Sequence, residues 1–128
     1  MRTNKRVSAL VVRENKLLLI HRFKNGDEYW VIPGGGAEEG ESLEDALKRE
    51  VLEETGLKLV DHKLLGSDEG EEHIHYFYQC ELTPGEPKIG GPELKDSSEN
   101  NVYILEWILV KNIANLNIYP NSVKLYIK

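Results

Sequence analysis

Apolar positions recur with two periods along this chain. Residues 7–12 form a run rich in β-branched side chains, and 16–21 form another after the polar stretch Arg13-Glu14-Asn15. Two such runs around a short polar turn predict a β-hairpin. Lys24-Asn25-Gly26-Asp27 has the composition of a second turn. Trp30-Val31-Ile32 predicts a short strand, halted by Pro33 and the run Gly34-Gly35-Gly36, with a loop continuing to Glu41. From there the period becomes helical. Ser42 is the expected N-cap, Asp45 makes a weak capping box three residues on, and acids crowd the first turns, where the helix dipole favours them. Gly56 stands where a left-handed cap is expected, so the helix should run from Leu43 to Thr55. Residues 57–60, 63–67 and 73–82 look extended. Residues 83–101 hold three of the five prolines and three of the eleven glycines and predict a loop. A further strand is expected at 102–110, and short helices at 111–116 and 121–127. Strands on both sides of one strong helix predict an α/β or α+β sandwich around a mixed sheet.

Size and composition narrow the class. A chain of 128 residues, 40% hydrophobic and 30% charged, suits one domain over 1–128. Its apolar runs are too short to span a bilayer. The stretch 1–6 is polar and does not resemble a signal peptide. The single cysteine, Cys80, forbids an internal disulfide and any multi-cysteine zinc site. These features predict a soluble cytoplasmic protein with no membrane partner.

Charge is concentrated in one place. Of 22 acids and 16 bases, eight acids and two bases fall between Glu38 and Glu54, and the rest of the chain is balanced. Such a local negative field repels nucleic-acid phosphate unless cations intervene, so no stable nucleic-acid partner is expected. A solvated helix face is the ordinary source of an acidic run. The spacing argues otherwise. At about 100° per residue, Ala46, Leu47 and Val51 form an apolar stripe with Leu43. Glu50 and Glu54 fall within about 20° of Leu43 and Glu53 about 80° to one side, so all three continue that stripe. Like charges near 6 Å repel by about 0.7 kcal/mol in water and about 2.8 kcal/mol at an effective dielectric of 20. Either the carboxylates turn to solvent, or some protons stay on, or a cation sits among them. Oxygen ligands with no histidine or thiol nearby in sequence favour a hard ion, magnesium above all, with manganese a common substitute. Arg49 lies beside Glu53 and could neutralise part of the cluster or hold Glu41. The glycines would let backbone approach a ligand closely.

These residues carry a specific resemblance. Gly35, Glu41 and Arg49-Glu50-Val51-Leu52-Glu53-Glu54-Thr55-Gly56-Leu57 fit the Nudix box, G-x5-E-x7-R-E-U-x-E-E-x-G-U with U aliphatic, at every defined position. Trp30-Val31-Ile32-Pro33-Gly34 and Glu106-Trp107 also resemble family features. The resemblance implies a loop-helix-loop motif on an α/β/α sandwich and divalent-metal-dependent hydrolysis of a diphosphate linked to another moiety. It implies that Glu50 and Glu54 are metal ligands, and that Glu53 is a further ligand or the base for an attacking water. It pairs Glu41 with Arg49 to pin the loop to the helix, and offers the Gly35 carbonyl as an additional ligand.

Outside the box the candidates are thinner. Arg22 could meet a phosphate or form an exposed salt bridge, and Gly34, Gly35 and Gly36 could line the substrate. Glu99, with Glu93 behind it, could be a further acid recruited from a loop, or merely a solvated charge. His73 and His75 share a strand face with Phe77 and read as strand residues rather than ligands. Tyr76, Tyr78 and Tyr103 could stack on a base, though strand aromatics are ordinarily core. Glu71-Glu72-His73 replace the proline of ADP-ribose-type relatives, and the tyrosines lie slightly beyond the dinucleoside-polyphosphate position. The expected substrate is therefore a small nucleoside di- or triphosphate, such as an oxidised nucleotide in a house-cleaning role. Rival readings are hydrolysis of ADP-ribose or dinucleoside polyphosphates, and a non-catalytic nucleotide-sensing module. The resemblance also implies a homodimer.

Overall fold

The computed structural model describes residues 2–89 and 101–127. Glutamate candidates Glu93 and Glu99 lie outside them. Strand β1 (Arg2–Leu10) is followed by β2 (Val12–Arg13), β3 (Lys16–Lys24), β4 (Asp27–Val31) and β5 (Gly34–Glu38). Helix α1 (Leu43–Thr55) comes next, then β6 (Leu59–Glu69), β7 (Ile74–Leu82), β8 (Asn101–Leu109) and β9 (Ile118–Tyr119). One sheet has the order β5-β1-β7-β6, with β1 antiparallel to β5 and parallel to β7. The other runs β2-β3-β4-β9, and β8 pairs with β3 from Lys16↔Leu109 to Lys24↔Asn101.

The α+β expectation holds, with two mixed sheets in place of one. Four local expectations are corrected. The first hairpin contains only β2 and β3, turning at Glu14 and Asn15, whose φ angles are 51° and 64°. Strand β1 starts earlier than the apolar run and leaves for the other sheet. Its polar residues Thr3 to Arg6 obscured it, because pairing with β5 at Arg2 and Arg6 and with β7 from Lys5 onward stabilises a strand that lacks a continuous apolar signal. The glycine run is strand rather than loop. Gly34, Gly35 and Gly36 pair with Ser8, Val7 and Arg6, and a Cβ at Gly34 would come within 1.9 Å of the Val7 carbonyl oxygen. The two short C-terminal helices are 3-10 segments, Val110–Asn115 and Asn121–Tyr126, with β9 between them. The extended pieces expected at 57–60 and 63–67 belong to a single strand, Leu59–Glu69, kinked by register shifts between Leu59 and Asp61 and between Leu64 and Gly66.

Helix α1 forms where its caps place it. The Ser42 hydroxyl accepts from the Asp45 N–H at 3.0 Å, and Gly56, at φ 73°, donates its N–H to the Leu52 carbonyl. Ala46, Leu47 and Val51 are fully buried against Val7, Ala9 and Leu18 of the strands. Burying a leucine or valine contributes about 1.5–3 kcal/mol, enough to fix which face of α1 meets the sheet. A second buried cluster, with Leu17, Leu19, Phe77, Ile113 and Val123, seats the C-terminal segments. Among the described residues no helix is long and apolar enough to cross a membrane.

Gly56 tests the cap. A Cβ there would meet only the Lys88 carbonyl oxygen, at 3.7 Å, so the cost of Gly56→Ala is conformational, about 1 kcal/mol. Thermal denaturation should show a midpoint lowered by about 2–5 °C; an unchanged midpoint would remove the left-handed cap from the helix's stability.

Candidate active site

The site assembles around one guanidinium. Arg49 donates from Nε and Nη2 to the two carboxylate oxygens of Glu41, each at 2.9 Å, and from Nη1 to Glu50 Oε1 at 2.8 Å. Nη2 also donates to the Gly36 carbonyl at 3.0 Å, and Glu53 Oε2 lies 3.7 Å from Nη1. The Glu41 hydrogen bonds raise the Arg49 pKa further above its ordinary value, with burial opposing them. Arg49 therefore stays charged and ties the loop after β5 to α1. Gly36 serves it as a backbone acceptor.

Glu50 and Glu54 are buried, 2% and 4% exposed, as their place on the apolar stripe predicts. Glu54 Oε2 accepts the Gly34 N–H at 2.8 Å. The Glu50 carboxylate occupies the space a side chain at Gly35 would need, with its carbon 2.5 Å from where a Cβ would stand. Glu53 differs: its side chain is 35% exposed. The expectation of three gathered carboxylates is thus met by two, and the third stands at the rim of the stripe because it sits about 80° from its centre.

Both buried acids open on a cleft of about 420 Å³, which Gly34, Gly35 and Arg22 also line. Arg22 donates to the Val102 carbonyl and to Asn101 Oδ1, with its guanidinium 3.6 Å above the Tyr103 ring. The fold adds Arg6, Ser8, His75, Tyr119 and Pro120 to the lining. None of these was an expected site residue. Alternation along β1 was the available signal, since Arg6 and Ser8 must face away from the buried Val7 and Ala9. Burial, and then the charges of Arg6 and His73, lower the pKa of His75, with Asp68 acting against them. Tyr76 and Tyr78 pack with the core beneath α1. A larger hollow of about 710 Å³, beside Arg13, His62 and Gly85, contains no box glutamate. Chemistry rather than volume selects the cleft.

A family model of the NUDIX domain matches residues 2–127. The chain belongs to the Nudix hydrolase family. It is 30% identical over 114 residues to the Nudix hydrolase YvcI of Bacillus subtilis, covering 85% of this chain and 68% of YvcI. It is 38% identical over 82 residues to diphosphoinositol polyphosphate phosphohydrolase 2 of Rattus norvegicus, covering 62% of this chain and 45% of that protein. The chain thus spans about two thirds of one relative and less than half of the other. The crystal structure of MutT NUDIX hydrolase from Burkholderia pseudomallei superposes with a TM-score of 0.76 at 24% identity, over 97% of this chain and 96% of that one. At that identity the likeness establishes the fold.

Nudix hydrolases generally use divalent metal cations. Among the described residues of this Nudix hydrolase, no three histidine, cysteine, aspartate or glutamate side chains already converge on a metal position. The donor chemistry nevertheless fits a hard cation. Two buried carboxylates one helical turn apart face one cleft, and a glycine leaves room against one of them.

Two outcomes follow. A lysine at position 49 keeps the charge but cannot span Glu41, Glu50 and Gly36 at once, so Arg49→Lys should lower unfolding free energy by about 2 kcal/mol, read from urea denaturation. Full stability would show that one point charge suffices. For His75, the folded state resists protonation. Its stabilising contribution is present above its ordinary pKa of about 6.5 and is lost as pH falls below it. His75→Gln should therefore lose less stability than the wild type between pH 7.5 and 5.5, and equal slopes would contradict the lowered pKa.

Proposed function

We propose that this Nudix hydrolase cleaves a P–O–P bond in a small nucleoside triphosphate or oxidised nucleotide, with Mg²⁺ or with Mn²⁺ in its place, in the cytoplasm. The supporting observation is the convergence on one cleft of two buried carboxylates, Glu50 and Glu54, with two arginines, Arg6 and Arg22. Carboxylates alone repel a diphosphate, and arginines alone bind it without preparing it for attack. In this reading Glu50 and Glu54 hold the divalent ion, with Glu53 and the Gly35 carbonyl as further ligands available to it. Bound there, the ion supplies positive charge that offsets the phosphoryl oxygens and the leaving group.

The chain's own groups do the rest. The Gly34 N–H holds Glu54 in one orientation, and Arg49 does the same for Glu50. Glu53 keeps solvent contact, which suits either a ligand role or acceptance of the proton from attacking water. Arg22 is already ordered by Tyr103, Val102 and Asn101, so little side-chain entropy is lost when it meets a phosphate. Gly34 and Gly35 line the cleft as backbone, their missing side chains making room for the Val7 carbonyl and the Glu50 carboxylate.

The identity shared with a diphosphoinositol polyphosphate phosphohydrolase supports a second reading, a diphosphate on a heavily phosphorylated small molecule other than a nucleotide. Incubation with nucleoside triphosphates, oxidised nucleotides, ADP-ribose, dinucleoside polyphosphates and diphosphoinositol phosphates separates these substrates by their products: phosphate or pyrophosphate from the triphosphates and diphosphoinositol phosphates, AMP and ribose 5-phosphate from ADP-ribose, and two nucleotides from a dinucleoside polyphosphate. Binding of a nucleotide without hydrolysis of any of them would mean a nucleotide-sensing module instead. On the preferred substrate, Glu54→Gln should reduce turnover about 100-fold or more and leave the thermal midpoint unchanged or raised, because repulsion with Glu50 is relieved. A near-normal rate at saturating magnesium would exclude Glu54 from the chemistry.

A further inference from the structure

Two guanidiniums reach the cleft from different sheets, Arg6 from β1 and Arg22 from β3. Arg22 is partly spent on the protein, bonded to Val102 and Asn101 and stacked on Tyr103. Arg6 is in a different state. It is half-buried, and among the described residues its guanidinium makes no hydrogen bond or ion pair. Its charge acts on His75, its register partner on β7. A guanidinium carries five donors and cannot discharge itself by losing a proton. Held half out of water, it keeps a desolvation cost that an anionic partner would remove. The opposite wall cannot hold a polyanion by itself, since one divalent ion on Glu50 and Glu54 leaves no net positive charge. Attraction for phosphate lying beyond the ion must come from the arginine side.

We propose that Arg6 determines specificity by gripping, together with Arg22, a phosphate outside the scissile bond, so that substrates with three or more phosphates are preferred over diphosphates ending in a neutral sugar. The inference rests on the hydrolase reading above and assigns Arg6 to binding rather than to bond cleavage.

Calorimetric titration of the full chain in Mg²⁺ with inorganic tripolyphosphate and with pyrophosphate tests it, on the wild type, Arg6→Gln and Arg6→Lys. Losing one charge-assisted contact should weaken tripolyphosphate binding by Arg6→Gln about 10-fold or more and pyrophosphate binding by no more than about threefold. Arg6→Lys should recover part of the loss. With a nucleoside triphosphate, KM should rise by a similar factor while kcat stays nearly constant, and with a nucleoside diphosphate sugar KM should rise by no more than about threefold. Equal weakening for both anions, or none for either, overturns the proposal. Should Arg6→Gln fail to fold, Arg6→Lys carries the test alone, its loss confined to tripolyphosphate in support or shared by both anions in refutation. If the wild type hydrolyses nothing while the selective loss of tripolyphosphate binding is still seen, the hydrolase reading fails and the role of Arg6 stands.

Discussion

The fork of Arg49 joins three stretches of chain that would otherwise repel or drift. Glu41 lies in the loop after β5, Glu50 lies on the buried face of α1, and the Gly36 carbonyl belongs to β5 itself. Two carboxylates held this far from water are tolerable beside a permanent cation whose planar donors meet both at once. The interaction fixes the rotation of α1 about its own axis from the polar side, as Ala46, Leu47 and Val51 fix it from the apolar side. Because both constraints agree, Glu50 and Glu54 have one direction in which to face.

That direction sets up a cleft whose walls differ in sign. Acids come from α1, arginines from β1 and β3, and glycines fill the corner where side chains would collide. The glycines of β5 act here through lack of bulk as well as through freedom of angle. One gives up the space a Cβ would need to the Val7 backbone, and its neighbour gives it up to the Glu50 carboxylate. A single methyl group at either place would push strand or carboxylate out of position, which makes the corner a packing constraint.

The strand that presents Arg22 is held from behind. On the opposite face of β3, His21 stacks on Trp30 at 3.6 Å, and its two ring nitrogens meet Glu106 at 2.9 Å and Glu28 at 2.6 Å. One side chain thereby links β3, β4 and β8 next to the residue that faces the cleft. Farther along, Tyr126 fills the space above Gly66 and packs on Phe77, closing the C-terminal 3-10 segment onto β6 and β7. The positioning of the cleft arginines is therefore distributed over contacts that never touch a ligand.

Local chemistry was readable without coordinates. Ser42 and Gly56 mark the ends of α1 because capping depends on the residue and its immediate neighbours. Glu50 and Glu54 fall on the buried stripe because helical periodicity is a property of spacing alone. The turns at Glu14-Asn15 and Asn25-Gly26 follow the same logic, as short polar segments in which Asn15, Asn25 and Gly26 accept positive φ. What the tertiary structure decided was everything set by pairing across distance. The glycine run became a strand because β1 supplied its hydrogen bonds, and polar Lys5 and Arg6 were drawn into β1 by partners on β7 and, at Arg6, on β5 as well. Arg6 and His75 entered the cleft because parallel pairing of β1 with β7 put them side by side, although 68 residues separate them in sequence. Periodicity and capping act within one turn or one strand, so a single sequence displays them. Register between strands is chosen by the burial of the whole sheet, and no local window contains it.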